Sequence, residues 1–296
     1  MIRITMKNLT VLLLCLLSTV GFAKERLKFV LASNPNVTVD YKGDIENGMA
    51  NGQGKATFYL HGEFDGEYEG SWKNNDYHGK GAFKWKNGSR YIGEFQNNQR
   101  TGKGIYYWPN GNSYDGQWLN GVQHGEGTHK WNNGDQYIGT YINGKQSGKG
   151  TFIYANGNIY EGDWLNGSQH GKGKFTWATG DRYEGDFVND ERSGKGTFYW
   201  TSGNSYTGEW LNDKQNGFGI KKWKNGNSYE GYWSNNEIHG KGTYVWEDGD
   251  TFIGEFVNGD RTGPGKFIFA NGTTQEGLYI NNVFQKNNVT PVLSQK

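Results

Sequence analysis

The sequence predicts an all-β fold, an elongated single-layer antiparallel sheet of 23-residue hairpin repeats. Three observations predict it. Gly accounts for 48 of the 296 residues, more than twice its usual share. Aromatic residues make up 16% of the chain, although the whole hydrophobic class makes up only 33%, which is too few aliphatic side chains for the core of a helical or α/β domain. A sequence repeat with a period of 23 residues runs through most of the chain.

Residues 1–23 predict a secretory signal peptide. The basic residues Arg3 and Lys7 precede an apolar run over 9–20, and small residues follow it. The alternative is a membrane anchor, but a helix needs about 20 apolar residues to span a bilayer. We therefore expect cleavage at the end of this segment and export to the periplasm, the cell surface or the medium. Cys15 is the only cysteine, so the exported chain would have no disulfide.

A repeat array is predicted to occupy most of the remaining chain. Residues 24–40 form a lead, residues 41–282 form the array, and residues 283–296 are expected to be a flexible tail. Regular units span 68–274 without a gap, whereas four extra residues lie near 60–66. Atypical end units are expected because they must cap a stack whose outer strand has no partner.

Each unit is predicted to be a β-hairpin. Tyr68, Gly70 and Trp72 alternate with period two, so their side chains share one face of a strand. The second strand carries a Gly-x-Gly motif and ends near Trp85, and an Asn-Gly turn at 87–88 leads into the next unit. A Gly leaves a gap on the pleated surface, and an aromatic ring from the neighbouring strand can lie across it.

The charge pattern excludes some partners. Thirty-one basic residues balance thirty acidic ones, so the chain lacks the bulk positive charge that attracts nucleic acid or anionic lipid. Acids on the first strand of each unit, such as Asp186, and lysines on the second, such as Lys172, fall on the face opposite the aromatic rings. Cross-strand ion pairs between them explain the balanced charge without any ligand.

The segment from Tyr160 to Phe175, YEGDWLNGSQHGKGKF, resembles the MORN repeat (membrane occupation and recognition nexus). The resemblance extends over about Tyr41 to Tyr279 in nine near-complete copies. It implies a long, twisted, single-layer antiparallel sheet with an aromatic groove, about 90–100 Å long for ten units. Members of this family are often interaction scaffolds, and some dimerise. Lipid binding has been proposed for the family, but it does not follow from the repeat residues.

The expected function is that of a non-enzymatic, exported scaffold that binds an unknown protein through the aromatic groove and that could also form a homodimer. Glycan or cell-wall binding by the same rings is an alternative, and membrane phospholipid association is another, although the charge does not support it. Rows of partly open aromatic rings suit peptides or sugars. The candidate groove residues are Tyr68, Trp72, Trp85, Trp108, Tyr114, Trp118, Trp131, Tyr160, Trp164, Trp177, Trp200, Tyr206, Trp210, Trp223, Tyr229, Trp233 and Trp246.

No catalytic residue, metal site or cofactor is predicted. His78, His124 and His170 recur every 46 residues, which separates neighbouring members by about four strands or ~19 Å, too far to share one metal ion. The Gly-Lys-Gly motif resembles a phosphate-binding loop but lacks the helix that such a loop needs. The 46-residue pattern itself indicates duplication of a two-unit block, or a partner that contacts every second hairpin.

Overall fold

The computed structural model describes residues 24–286, and within them the chain forms strands and turns only. This confirms the all-β prediction. None of the residues described forms a helix able to cross a bilayer. The strands are β1 Glu25–Val30, β2 Val37–Glu46, β3 Met49–Leu60, β4 Glu63–Lys73, β5 Asp76–Trp85, β6 Arg90–Gln96, β7 Gln99–Tyr107, β8 Ser113–Leu119, β9 Val122–Lys130, β10 Gln136–Ile142, β11 Lys145–Ile153, β12 Ile159–Leu165, β13 Ser168–Thr176, β14 Arg182–Val188, β15 Glu191–Tyr199, β16 Ser205–Leu211, β17 Lys214–Lys222, β18 Ser228–Ser234, β19 Glu237–Val245, β20 Thr251–Val257, β21 Asp260–Ile268, β22 Thr274–Ile280 and β23 Val283–Gln285.

The strands form one open antiparallel sheet in which each strand pairs with the next one along the chain. The sheet begins at β1, within the predicted lead, and continues to β23, three residues past the predicted end of the array. The extra residues near 60–66 lengthen the two strands that they join. The second strand β3 has 12 residues and the first strand β4 has 11, whereas a later second strand has 9 and a later first strand has 7. The predicted signal peptide and residues 287–296 of the predicted tail lie outside the described residues.

Two kinds of turn join the strands. The turn inside a hairpin has two residues with positive φ, for example Asn120 (50°) and Gly121 (81°), which is the type I′ geometry that matches strand twist. Between units, the Gly88 N–H donates to the Trp85 carbonyl at 2.9 Å, and Gly88 has φ +87°. The sequence therefore predicts the turn between units correctly.

The Gly-x-Gly motif lies at a bulge in the second strand of each hairpin. Gly70 pairs with Gly81, but Trp72 pairs with Tyr77, so residues 78–80 face Ser71 alone. The first Gly of the motif, Gly79, has φ +64°, a conformation that glycine adopts at no steric cost. The bulge brings the second Gly opposite the Gly of the first strand, which leaves a bare stretch of backbone on the aromatic face.

The core of this single layer lies on its aromatic face, which we call the front face. The first aromatic position of each unit forms a line of buried rings, the Tyr column: Tyr41, Tyr68, Tyr91, Tyr114, Tyr137, Tyr160, Tyr183, Tyr206, Tyr229 and Phe252. The aromatic position four residues later forms the Trp row: Trp72, Phe95, Trp118, Tyr141, Trp164, Phe187, Trp210, Trp233 and Phe256, which ends with Tyr279. Tyr160 contacts Trp164 of its own unit and Phe187 of the next, both edge to face, at 5.2 and 5.1 Å between ring centroids. Because each ring is covered by the next unit, a sheet with one layer still buries its rings.

Candidate functional site

The structure divides the seventeen candidate groove residues into two groups. Ten of them belong to the Tyr column or the Trp row and are no more than 6% exposed, so their rings serve the core. These ten are Tyr68, Trp72, Tyr114, Trp118, Tyr160, Trp164, Tyr206, Trp210, Tyr229 and Trp233. The other seven are partly exposed and form a separate line: Trp85, Trp108, Trp131, Trp177, Trp200, Trp223 and Trp246. Only this second group offers a surface to a partner.

Each tyrosine of the column is held over glycine backbone by its hydroxyl group. The Tyr68 hydroxyl donates to the Ser71 carbonyl at 2.9 Å, and the Tyr160 hydroxyl donates to the Asp163 carbonyl at 2.8 Å. Burial is the main cause that raises the pKa of both hydroxyls well above the ordinary value. These hydroxyls therefore stay protonated and serve as structural donors over the ordinary pH range.

The seven partly exposed tryptophans alternate with a second line of rings, and together they form what we call the ring ladder. Neighbouring centroids lie between 4.1 and 5.9 Å apart, with interplanar angles from 18° to 56°. The rings are thus stacked or tilted against each other, so that neighbours cover much of each ring face. The other members of the ladder are Phe83, Tyr106, His129, Phe152, Tyr154, Phe175, Phe198, Lys221, Tyr244, Phe267 and Phe269.

Two positions of the ladder carry a titratable side chain in place of a benzene or phenol ring. His129 lies between Trp108 and Trp131, at 5.0 and 4.1 Å between centroids, and burial lowers the pKa of its imidazole to about 4. Lys221 places its ammonium nitrogen 5.0 Å from the centroid of Trp200 and 5.4 Å from that of Trp223. Burial also lowers the pKa of Lys221. Cation–π attraction to the two indoles offsets part of the cost of placing this charge there.

A row of long polar side chains lies between the ring ladder and the Trp row. The Arg100 guanidinium lies 4.4 Å from the centroid of Trp118, and the Arg192 guanidinium lies 4.7 Å from that of Trp210. The amide of Gln169 donates to the Tyr154 hydroxyl at 3.0 Å. Sequence reasoning missed this row. Its signal was the position just before each bulge, which holds arginine or glutamine in most units, namely Arg100, Gln123, Gln146, Gln169, Arg192, Gln215 and Arg261.

The indole N–H groups of the two tryptophan lines differ in their partners. In the Trp row, the Trp118 indole donates to the Gly104 carbonyl at 2.9 Å and the Trp210 indole to the Gly196 carbonyl at 3.2 Å. Among the described residues, none of the seven ladder indoles donates to protein, and none has its nitrogen buried. The ladder thus presents a series of open hydrogen-bond donors. Neighbouring donors are separated by two strands or about 9.6 Å, except between Trp131 and Trp177, where Tyr154 takes the position and the spacing doubles.

The three histidines that recur every 46 residues are held in the bulges. The Nδ1 atoms of His78, His124 and His170 are buried and have no hydrogen-bond partner within residues 24–286. No group of three or more metal-ligating side chains occurs in that part of the chain. Each of these imidazoles therefore stands apart from the others in its own hairpin.

An open sheet of stacked glycine–aromatic hairpins, each covering the core of its neighbour, defines the chain as a linear repeat protein. The sequence profile of the MORN repeat matches ten segments of it: 41–59, 68–90, 91–113, 114–136, 137–159, 160–182, 183–205, 206–228, 229–251 and 252–274. These segments make up more than half of the chain, which therefore belongs to the MORN repeat family. This confirms the resemblance drawn from the sequence and gives the chain the general character of a repeat scaffold.

Three solved structures show a weak resemblance to the chain. The TCP domain of Drosophila melanogaster SAS-4, solved with a proline-rich motif of Ana2, is 14% identical over 52% of this chain and 84% of that one, with a TM-score of 0.34. A streptogramin B lyase is 14% identical over 83% and 88% of the two chains, with a TM-score of 0.15. An inactive virginiamycin B lyase of Staphylococcus aureus, solved with quinupristin, is 13% identical over 87% and 85%, also with a TM-score of 0.15. Likeness at this level supports no conclusion about function. No curated protein matches the chain.

Proposed function

We propose that this protein is a non-enzymatic, exported scaffold that binds an extended segment of a partner protein along the ring ladder. The observation that supports the proposal is the series of open indole N–H donors at the edge of the ladder. Successive donors are separated by about 9.6 Å, or about 19 Å across Tyr154. These spacings are close to one and two turns of a peptide in the polyproline II conformation, which repeats its direction every three residues or about 9.3 Å. A peptide lying along the ladder can therefore present a carbonyl to each donor in turn.

The packing of the rings favours a peptide over a glycan. A sugar binds an aromatic residue by lying flat on the ring, so it needs an open face. In the ladder, Trp177 has Phe175 on one side at 4.5 Å and Phe198 on the other at 5.0 Å, measured between centroids. What remains open is the ring edge and its N–H group, which suit carbonyl groups and apolar side chains.

Charge adds a preference within this proposal. Lys221 forms no ion pair with any acidic side chain of residues 24–286. The desolvated ammonium group would gain an ion pair from a carboxylate of the bound peptide. We therefore propose that the peptide carries an aspartate or glutamate where it passes Lys221. Weak contacts repeated along the ladder would then add through multivalency.

The test is co-purification of the exported protein after brief cross-linking, with the cross-linked residues mapped in both chains. The expected partner segment cross-links next to the ladder, and the variant W108F/W131F/W177F/W200F binds it at least tenfold more weakly. Phenylalanine keeps a ring in each stack but removes the donor. The control K149Q/D163N changes an ion pair on the opposite face and should leave binding unchanged. Equal affinity of the ladder variant and the wild type would refute the proposal.

Two further arms separate the other partner classes. Competition by soluble wall polysaccharide would favour glycan binding, and flotation with anionic vesicles at low salt would favour lipid binding. Export is tested independently by mass spectrometry of the mature N-terminus, which we expect at Lys24. A mature protein that still begins at Met1 would contradict export without affecting the assignment of the ladder.

A further inference from the structure

The face opposite the ring ladder, which we call the back face, carries a regular pattern of charge. In most units the middle residue of the Gly-x-Gly motif is charged and faces an acidic or polar residue on the next strand. The Lys149 ammonium lies 2.7 Å from the Asp163 carboxylate, and the Lys172 ammonium lies 2.6 Å from the Asp186 carboxylate. Such exposed pairs keep the back face hydrated and contribute little to stability.

The pattern breaks between β17 and β18. Phe218 takes the place of the lysine, and Tyr232, directly opposite, takes the place of the acid. Their rings meet edge to face at 5.7 Å between centroids, yet Phe218 is 41% exposed and Tyr232 is 54% exposed. Two large rings thus remain in water on a face where the equivalent positions are mostly charged or polar. An exposed apolar pair in such a setting indicates a contact surface.

The apolar surface continues toward the end of the sheet. Ile253 on β20 is 47% exposed, and Pro264 on β21 faces Leu278 on β22. Phe218, Tyr232, Ile253 and Pro264 line one concave pocket of about 590 Å³. Within residues 24–286, two apolar pairs replace the charged or polar pair at this position of the repeat, Phe218–Tyr232 and Pro264–Leu278. They lie on either side of Lys241 and Glu255, which face each other on the strands between them.

The order of these residues is self-complementary. From β17 to β22 it runs Phe218, Tyr232, Lys241, Glu255, Pro264 and Leu278. A two-fold axis parallel to the strands, between β19 and β20, would bring Lys241 over Glu255 of a second copy. The same axis would bring Tyr232 over Pro264 of the second copy, and Phe218 over Leu278 of the second copy. Each apolar side chain thus meets an apolar one, and each charge meets its opposite.

Lys241 and Glu255 are also free to make this contact. They face each other across β19 and β20, but among the described residues neither one forms an ion pair. We propose that the back face from β17 to β22 is an isologous interface through which two copies of this chain pack face to face. The interface is independent of the proposed function, because the ring ladder lies on the other face.

The area of the proposed interface determines the expected affinity of the dimer. Six strands at about 4.8 Å span about 25–30 Å, and three back-face residues along each strand span about 15–20 Å. Two such surfaces would bury about 1,000 Å² in total, at the lower limit for a specific interface. We therefore expect a reversible dimer that forms in the micromolar range, not an obligate one.

The test is sedimentation equilibrium of the full chain, purified after any processing, from about 1 to 200 μM. Twice the chain mass is expected at the upper end and the single mass at the lower end. The variant F218K/Y232D restores the ion pair of other units, so it should fold normally and stay monomeric throughout. W177F, which changes only the ring ladder, should dimerise like the wild type. A wild type that is monomeric at every concentration would overturn the proposal, and so would F218K/Y232D that still dimerises.

A charge-swap series checks the axis. K241E and E255K should each weaken the dimer at least tenfold, because like charges would then face each other. The double variant K241E/E255K should restore dimerisation, and circular dichroism should show the same fold for all three. A double variant as weak as either single one would overturn the proposed axis. A monomeric wild type that binds another protein through Phe218 and Tyr232 would assign this surface to that protein and refute the dimer.

Discussion

At the scale of single residues, the fold depends on glycines that leave room for a ring. A side chain at Gly150 would overlap the hydroxyl of Tyr137, although the backbone of Gly150 is not in a left-handed conformation. Gly144 is the reverse case, because it has φ +79° and a Cβ atom there would meet no other atom within 4 Å. The two residues therefore separate steric overlap from backbone strain.

We expect Gly150→Ala to lower the free energy of unfolding by about 3 kcal/mol, because the Tyr137 ring must move out of the column. Gly144→Ala should cost only about 1 kcal/mol, the strain of a left-handed alanine. Urea unfolding followed by tryptophan fluorescence measures both values. Equal losses in the two variants would show that the bare backbone under the tyrosine is not what the fold requires.

His129 makes stability depend on pH. Burial lowers the pKa of its imidazole from 6.5 to about 4 in the folded protein. Between these two values the unfolded chain binds a proton that the folded chain does not, so stability falls as the pH drops from about 6.5 to about 4. Because the ring is only half-buried, solvent screening reduces the loss to about 1–2 kcal/mol.

The variant His129→Phe removes this titration and places an ordinary ring in the ladder. We expect it to lose less stability than the wild type between pH 7 and pH 4.5, with the difference measured by urea unfolding at both values. Carboxylates titrate in both proteins, so their contribution cancels in the comparison. Parallel pH profiles for the two proteins would contradict the assignment.

At the scale of the hairpin and its neighbours, the ladder shows what one substitution does to a continuous stack. Lys221 stands where the preceding units have Phe175 and Phe198, and it interrupts ring-to-ring contact between Trp200 and Trp223. The gap costs stability, because a desolvated cation replaces two aromatic contacts. Every other ladder position of the described residues holds an aromatic ring or an imidazole. A lysine at this one position is consistent with the proposed role of Lys221 in binding a carboxylate.

We expect Lys221→Phe to raise the free energy of unfolding by about 1 kcal/mol by completing the stack, and to weaken binding of the acidic partner segment. Lys222→Phe is the matched control, because residue 222 points to the back face and should give neither effect. Chemical denaturation and titration with the partner segment provide the two measurements. A Lys221→Phe protein less stable than the wild type would show that no ring fits between Trp200 and Trp223.

The sequence was sufficient to predict the hairpin, but not to predict which aromatic rings are buried and which are partly exposed. Period-two alternation places Tyr160, Trp164 and Trp177 on one face and predicts all three as groove residues. Whether a ring is buried depends on the next unit, where Phe187 covers Tyr160, and alternation carries no information on that contact. The bulge was not predicted either. A Gly-x-Gly motif does not by itself show that three residues of the second strand will lie opposite one residue of the first, as residues 78–80 lie opposite Ser71.

At the scale of the whole molecule, the array has two faces with different proposed roles. The front face repeats similar ring contacts from unit to unit, with an interruption at Lys221, so its binding capacity would grow with the number of units. The patch at Phe218 and Tyr232 occurs at one place on the back face, so it would fix one point of attachment. A repeated surface and a single attachment point are what a dimeric scaffold requires.

The array predicts that length can be changed without loss of the fold. Deleting residues 137–182 removes two units and joins Gln136 to Tyr183 in register. Because each unit contacts only its neighbours, the shortened chain should fold, and its maximum dimension by small-angle scattering should fall by about 19 Å, the width of four strands.

Deleting 137–171, about one and a half units, joins two strands out of register and should unfold part of the array. The in-register deletion leaves β17 to β22 intact, so that protein should still dimerise in sedimentation experiments. If both deletions gave proteins of equal stability, the stacking of hairpins in register would not be what holds this molecule together.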